Sequence, residues 1–424
     1  NMKEMQMKKR NYRNMLGVML TLFMMLPLTL GAKEVNLHGM LRSHAGASLL
    51  EGTLTKNEQT VDLSLEGWGD RTRILVNPYA YIGIGQEPEM GIREAYIDVM
   101  FEHADVRIGK QAILWGQAEG AFITDIVSPR DLRSFILADF REIRKGIPAI
   151  KADFYAGGFS VEGIWVPQFV PSSLPPNDSL WMKEPSFVPD VPIQMNPAKM
   201  PSVSLKNSEV FGKIKYFGPV ISWEVMGGYA WTDEAYVESI TPGSPIQIDQ
   251  SYGRHTVLGG SFSTSFGQTV LRGEAAIYLD KPFSVITPGA PVPSVSVENQ
   301  HQVQALVGLD RAILGIEMSG QYILSYVHDH TDGMMEQGRK IKEFSHTMTF
   351  RLQETFLDDQ LTAKFFAYVE MDPFNTLLRP SVSWSFEDGV SVEGGLELFI
   401  GDADGMFGRF QDNSMAYISL RWHF

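Results

Sequence analysis

Three short stretches of the chain carry residue types that could do chemistry. His328, Asp329, His330 and Asp332 crowd one turn and offer the imidazole and carboxylate groups that bind transition metals. They stand without a second cluster to complete a ligand set, so they read as solvated loop side chains. Asp402 and Asp404 in GDADG fall short of the ligand count of a calcium loop. Ser345 and His346 would pair a nucleophile with a base, yet adjacent residues of a strand point to opposite faces and the imidazole cannot take the hydroxyl proton. The chain has no cysteine, which removes thiolate metal sites, disulfide frameworks and thiol nucleophiles together. Neither a catalytic constellation nor a cofactor site is expected.

A second kind of chemistry is spread along the whole chain. Charged residues recur at even spacing, two residues apart in Lys213 and Lys215 and four apart in Glu94 and Asp98 or Glu393 and Glu397. Parity places Arg42, Arg73, Arg107, Lys151, Lys213, Lys215, Arg272 and Arg351 on one face of their strands. Asp62, Glu66, Glu94, Asp98, Glu224, Glu274, Glu317, Glu393 and Glu397 share that face. Charges in that number cannot fill a dry core, but they suit the wall of a wet channel, where they select by sign.

The elements that must position them are strands. Ile221, Trp223, Val225, Gly227, Tyr229 and Trp231 oppose Ser222 and Glu224, and the closing stretch MAYISLRWHF sets Ala416, Ile418, Leu420, Trp422 and Phe424 on one parity. Segments of this kind predict about 18 strands, within a range of 16–18, starting near 34, 60, 71, 91, 104, 148, 159, 208, 220, 254, 269, 300, 312, 343, 360, 377, 390 and 413. Tight turns are expected at Gly69-Asp70, Gly157-Gly158, Gly218-Pro219, Gly267-Gln268, Asp310-Arg311 and Asp388-Gly389, among others. Longer connections fall between them, including 115–146, 169–207, 233–252, 281–299, 328–342 and 402–412. Short turns on one rim and long loops on the other predict an all-β fold, a transmembrane up-and-down antiparallel β-barrel whose apolar face meets lipid.

The amino terminus agrees with export. Lys3, Lys8, Lys9, Arg10 and Arg13 precede an apolar stretch from Met15 to Leu30, which reads as a signal peptide over residues 1–32. The stretch is too short, and contains Pro27, for a bilayer-spanning helix. The whole chain carries a net charge of −14, and the basic leader's removal leaves residues 33–424 more acidic still, so nucleic acid is not an expected partner. With the first strand expected at the cleavage point, the sequence leaves no room for the amino-terminal plug of an energised receptor.

Two blocks carry a family likeness. VRIGKQAILWGQAEGAFITDIVSPRDLR, residues 106–133, holds Gly109-Lys110-Gln111, Trp115-Gly116 and Ser128-Pro129-Arg130-Asp131; GDADGMFGRFQDNSMAYISLRWHF, residues 401–424, holds Phe407-Gly408, Asp412-Asn413 and a terminal Phe. Both resemble uncharacterised porin-like outer-membrane proteins related to the alginate-export barrels, with Ser128 departing from the usual Asn. The resemblance implies passive passage of solutes across an outer membrane and names no ligand.

The apolar residues of 115–146, among them Phe122, Ile123, Leu132 and Leu137, are costly to leave in water, so the loop is expected to fold into the barrel. The expected constriction comprises Arg42, Arg73, Glu94, Asp98, Arg107, Asp125, Arg130, Asp131, Arg133, Asp139, Arg141 and Arg144. The proline-rich 169–207 loop is expected to form a stiff outer lid. The expected activity is charge-biased diffusion of small hydrophilic or amphipathic solutes; a non-conducting barrel serving as adhesin or structural protein is the alternative. The expected partners are the bilayer with lipopolysaccharide or an equivalent outer-leaflet lipid, barrel-assembly machinery at Phe424, and a small solute.

Overall fold

Alternate residues of a strand project to opposite faces, so a chain alternating between apolar and charged types builds a sheet with one oily and one wet side. The computed structural model describes residues 33–424 apart from 85–87, 117, 119, 138–141, 177–178, 183–191, 290–291 and 337. The expected leader therefore lies outside the described residues.

Eighteen antiparallel strands close on one another. The first nine are β1 (Glu34–Ser48), β2 (Leu54–Trp68), β3 (Thr72–Gly83), β4 (Glu89–Met100), β5 (Ala104–Gln111), β6 (Ile147–Ala156), β7 (Phe159–Val166), β8 (Glu209–Phe217) and β9 (Ile221–Trp231). The rest are β10 (Arg254–Phe266), β11 (Thr269–Thr287), β12 (Ser294–Ile313), β13 (Ile316–Val327), β14 (Phe344–Phe356), β15 (Leu361–Met371), β16 (Phe374–Ser385), β17 (Val390–Gly401) and β18 (Met415–His423). Each pairs with its sequence neighbour, and β18 pairs with β1 from Met40↔His423 to Ser48↔Met415. Phe424 extends the seam by exchanging backbone hydrogen bonds with Gly39 at 2.8 and 3.0 Å. Closure leaves no unpaired sheet edge, a condition for crossing hydrocarbon. Among the described residues no helix is long and apolar enough to cross a membrane.

The two faces invert a soluble core. Val225, Leu258 and Ile418 are exposed at 56%, 51% and 57%, whereas the carboxylate-bearing Glu224, Glu274 and Glu397 are exposed at 5%, 5% and 2%. The apolar face is thus outside and the acids point in, the inverse of a soluble core.

Short turns join neighbours on one rim, and the other rim carries the long connections 112–146, 167–208, 232–253, 328–343 and 402–414. Four expectations are corrected. The stretch expected as a loop at 281–299 is mostly strand: β11 runs to Thr287, and β12 starts at Ser294, before the expected 300. This hairpin outgrows the wall because Phe283 and Val285 bury against Val327, Met334 and Ile341, with Ser284 and Val285 paired to Met335 and Met334. The turn expected at Asp310-Arg311 sits instead at Leu314-Gly315, where both residues adopt positive φ (53° and 92°) that glycine favours. The long-loop rim also includes one tight connection, the two residues Asp372 and Pro373. β2 begins at Leu54, ahead of the expected 60, because the polar run from Lys56 to Gln59 hides its alternation while still pairing with β1.

Candidate functional site

The 112–146 segment leaves β5 and enters the lumen. Ala112 donates its N–H to Glu94 on β4 at 2.8 Å, and the Trp115 indole donates to Glu162 on β7. Lys213 on β8 lies 5.0 Å from the centre of that indole. Further along, Thr124 donates both its backbone N–H and its hydroxyl to Glu274 on β11, each at 2.7 Å. The Ile123 carbonyl accepts from the Tyr278 hydroxyl at 2.7 Å. β4 and β11 are seven strands apart along the sheet, so the segment bridges widely separated parts of the wall. Its apolar residues then have somewhere to go. Ile123 packs with Val257, Ala276, Leu306 and Ile323, while Trp115 and Val127 pack with Ile147, Ile164, Val166, Phe211 and Met226.

A buried ion pair joins the outgoing and returning halves of the segment: Arg144 Nε donates to Asp125 at 2.6 Å, and the same carboxylate accepts from the Trp115 N–H at 3.1 Å. Burial pushes the Asp125 carboxyl above its usual range, with the Arg144 charge opposing that shift. Arg130 and Arg144 form an isolated β-bridge and stack over Phe122 at 4.5 and 5.4 Å. The 167–208 connection clasps this pair from the side, through Ser173 N–H to the Arg130 carbonyl at 2.8 Å and Lys145 to the Pro171 carbonyl at 2.7 Å. Asp233, next in the 232–253 connection, has its carboxyl pushed well above the usual range by burial and by the neighbouring Glu234, with Arg130 opposing.

The twelve residues expected at the constriction do not form one ring. Arg42 on β1 grips Glu142 of the returning segment with two hydrogen bonds of 3.0 and 2.9 Å, beside Arg93, which donates to Asp62 at 2.6 Å. Toward the short-turn rim, Arg107 donates to Asp98 at 2.6 and 3.0 Å and Arg73 to Glu66 at 2.8 Å, both over the Tyr96 ring. Asp131 and Arg133 pair with each other, and Arg133 also bonds Glu89 on β4. Hydrogen bonding to Asp131 holds the Arg133 guanidinium above its usual range. Asp125, Arg130 and Arg144 sit together as described, and Glu94 anchors the segment's start. Asp139 and Arg141 lie outside the described residues.

Sequence reasoning missed three participants. Arg93 and Glu142 complete the Arg42 cluster; parity on β4 sets Arg93 with the outward Ala95 and Ile97, and the break in the β3–β4 register between Asn77 and Pro78, which skips Arg93, is what parity could not show. Trp181 is the third. It belongs to the proline-rich connection expected as an outer lid, yet it is buried against Phe135, Phe399 and Phe410, with ring centres 6.1, 5.5 and 5.6 Å apart. Phe399 is on the inner face of β17, so this part of the connection reaches the lumen wall. The remaining candidates have ordinary partners: His330 Nε2 lies 2.9 Å from the Ile341 carbonyl, Asp332 pairs with Lys340, and His346 bonds the Tyr322 hydroxyl at 2.6 Å.

A closed 18-stranded wall, acids and arginines inside and a segment laid across the interior together define the fold of outer-membrane porins. The chain belongs to the family described as protein of unknown function (DUF1302), which matches residues 85–424. No curated protein matches it in sequence. It is similar in structure to Pseudomonas aeruginosa OccK2 (OpdF) in complex with glucuronate, at 8% identity and a TM-score of 0.54, covering 93% of this chain and 97% of that one. Acinetobacter baumannii OccAB2 gives 8% identity and a TM-score of 0.53, covering 93% and 98%. Pseudomonas aeruginosa OpdK with vanillate gives 7% and 0.52, covering 93% and 99%.

Proposed function

We propose that the protein is an outer-membrane channel through which small hydrophilic or amphipathic solutes diffuse, with the 112–146 segment as its constriction. One observation carries the reading: a lumen lined by charged side chains is crossed by a segment fastened to Glu94 at one side and Glu274 at another. A fastened constriction fixes the size of what passes, and the arginines and carboxylates around it set a charge bias. Arg42, Arg93, Arg73 and Arg107 line one wall, on β1 and β3 to β5, so a small carboxylate is the first solute class to test. The glucuronate and vanillate held by two structural neighbours give concrete probes of that class.

The location in a bacterial outer membrane, the outer-leaflet lipid partner, the recognition of Phe424 by assembly machinery and the kinship to alginate-export barrels belong to the same proposal. The reading also makes the protein a diffusion channel and not an enzyme. The alternative, a non-conducting surface barrel, draws on the aromatic packing of Trp181, Phe135, Phe407 and Phe410 inside the mouth. Liposome swelling decides between them. Entry of glucuronate or vanillate at rates above protein-free liposomes supports a channel, and equal rates with well-folded protein support the alternative.

A further inference from the structure

The moved turn at Leu314-Gly315 leaves Arg311 on the wall, one turn of alternation above the short-turn rim. Register sets Arg311, Met318, Leu352 and Phe365 side by side across β12 to β15, with Leu309, Gly320 and Phe350 in the row beyond. Both rows face outward: Leu309, Phe350 and Leu352 are exposed on the apolar side. Gly320 has no side chain to occupy its place between Leu309 and Phe350, and a groove of about 390 Å³ opens there, walled by these residues. One water takes roughly 30 Å³ in the liquid, so the space holds a stretch of hydrocarbon. Apart from the buried Ser319, its lining is apolar except at the end nearest the rim, where Arg311 is exposed and, among the described residues, has no carboxylate partner. Neighbouring charges are already committed inward, Asp310 to Arg272 at 2.6 Å and Glu317 to Arg351 at 3.6 Å.

An unpaired arginine on a lipid-facing wall is costly at mid-bilayer but stable at headgroup depth, where it reaches phosphate. We propose that this groove is a binding site for an anionic phospholipid of the periplasmic leaflet, with one acyl chain over Gly320 and the phosphate on Arg311. The site rests on the reading that this wall is embedded in an outer membrane. Charge complementarity selects the occupant, because an apolar slot ending in one cation matches a hydrocarbon chain ending in one anion, and the slot is continuous with the lipid-covered face.

The test uses the full chain in mixed micelles holding phosphatidylglycerol and phosphatidylethanolamine in equal parts, read by native mass spectrometry. The wild type should retain one phosphatidylglycerol. Arg311→Gln should lower that retention about five-fold, the weight of one cation at a membrane surface. Gly320→Leu should remove it by filling the slot, and Val225→Leu on a distant part of the wall should leave it unchanged. Heat-dependent electrophoretic mobility verifies folding of each variant; if Gly320→Leu does not fold, Arg311→Gln against Arg311→Lys decides, with only the lysine retaining lipid. Retention of no lipid by the wild type, retention unaffected by Arg311→Gln, or a dimer abolished by Gly320→Leu would each overturn the proposal. Conductance of the same preparations is read separately, so failure of the lipid site is distinguishable from failure of the channel.

Discussion

Thr124→Val should loosen the constriction without altering the barrel. The substitution preserves shape and removes the hydroxyl, one of two donors that Glu274 accepts at 2.7 Å from this residue. A hydrogen bond to a charged group contributes about 1.5–3 kcal/mol, and each ~1.4 kcal/mol is a factor of ten, so the released population of the segment should rise roughly 10- to 150-fold. Thr124 is fully buried, so burial does not dilute the effect through solvent screening. In planar bilayers the wild type should show one main step, while Thr124→Val should show more frequent and longer visits to a larger step. Glu274→Gln, which weakens both bonds at once, should exceed it. Folded variants with the step size and dwell times of the wild type would refute the claim that this pair holds the segment across the lumen.

Three further outcomes are expected. Trp181→Ala removes a buried aromatic, a loss of about 3–5 kcal/mol, so the 167–208 connection should be cut faster by added protease while the barrel's heat stability is unchanged. Among the described residues, Arg42→Ala leaves Glu142 with only the longer 3.9 Å contact to Arg93; the reversal potential in a salt gradient should move toward cation preference, and no movement would contradict the placement. Asp233 has a raised carboxyl pKa in the fold, so its stabilising contribution is full below the unfolded carboxylate value of about 4 and is lost as pH rises through the raised value. Arg130, Glu234, Glu209 and Asp125 share its surroundings. Protease sensitivity of the outer connections should therefore increase as pH rises above the unfolded carboxylate range, and Asp233→Asn should flatten the profile.

The wall was legible in the sequence because a strand exposed to lipid on one side and water on the other writes its period directly into residue types. Ile221 to Trp231 and Met415 to Phe424 are clear cases, and the strand starts follow from them. Parity fixes the face of a side chain but not its partners around the barrel. Arg42 and Arg107 were placed on the correct face, yet they fall in separate clusters, because register and the return of the segment from Asp125 to Arg144 decide who meets whom. Thr124 and Glu274 are 150 residues apart, and nothing local in either stretch announces the other. Trp181 was hidden differently. Its prolines promised a stiff exposed loop, and the aromatic cavity at Phe399 and Phe410 that receives it is assembled from three distant segments. The Leu314-Gly315 turn was missed because Asp-Arg reads as turn chemistry, whereas Asp310 is used inside the lumen by Arg272.

The central claim is conduction through a wet lumen narrowed by a fastened segment. Single-channel recording of the purified protein in planar bilayers should show reproducible steps of one main size that enlarge in Thr124→Val; a silent bilayer containing folded protein would overturn conduction.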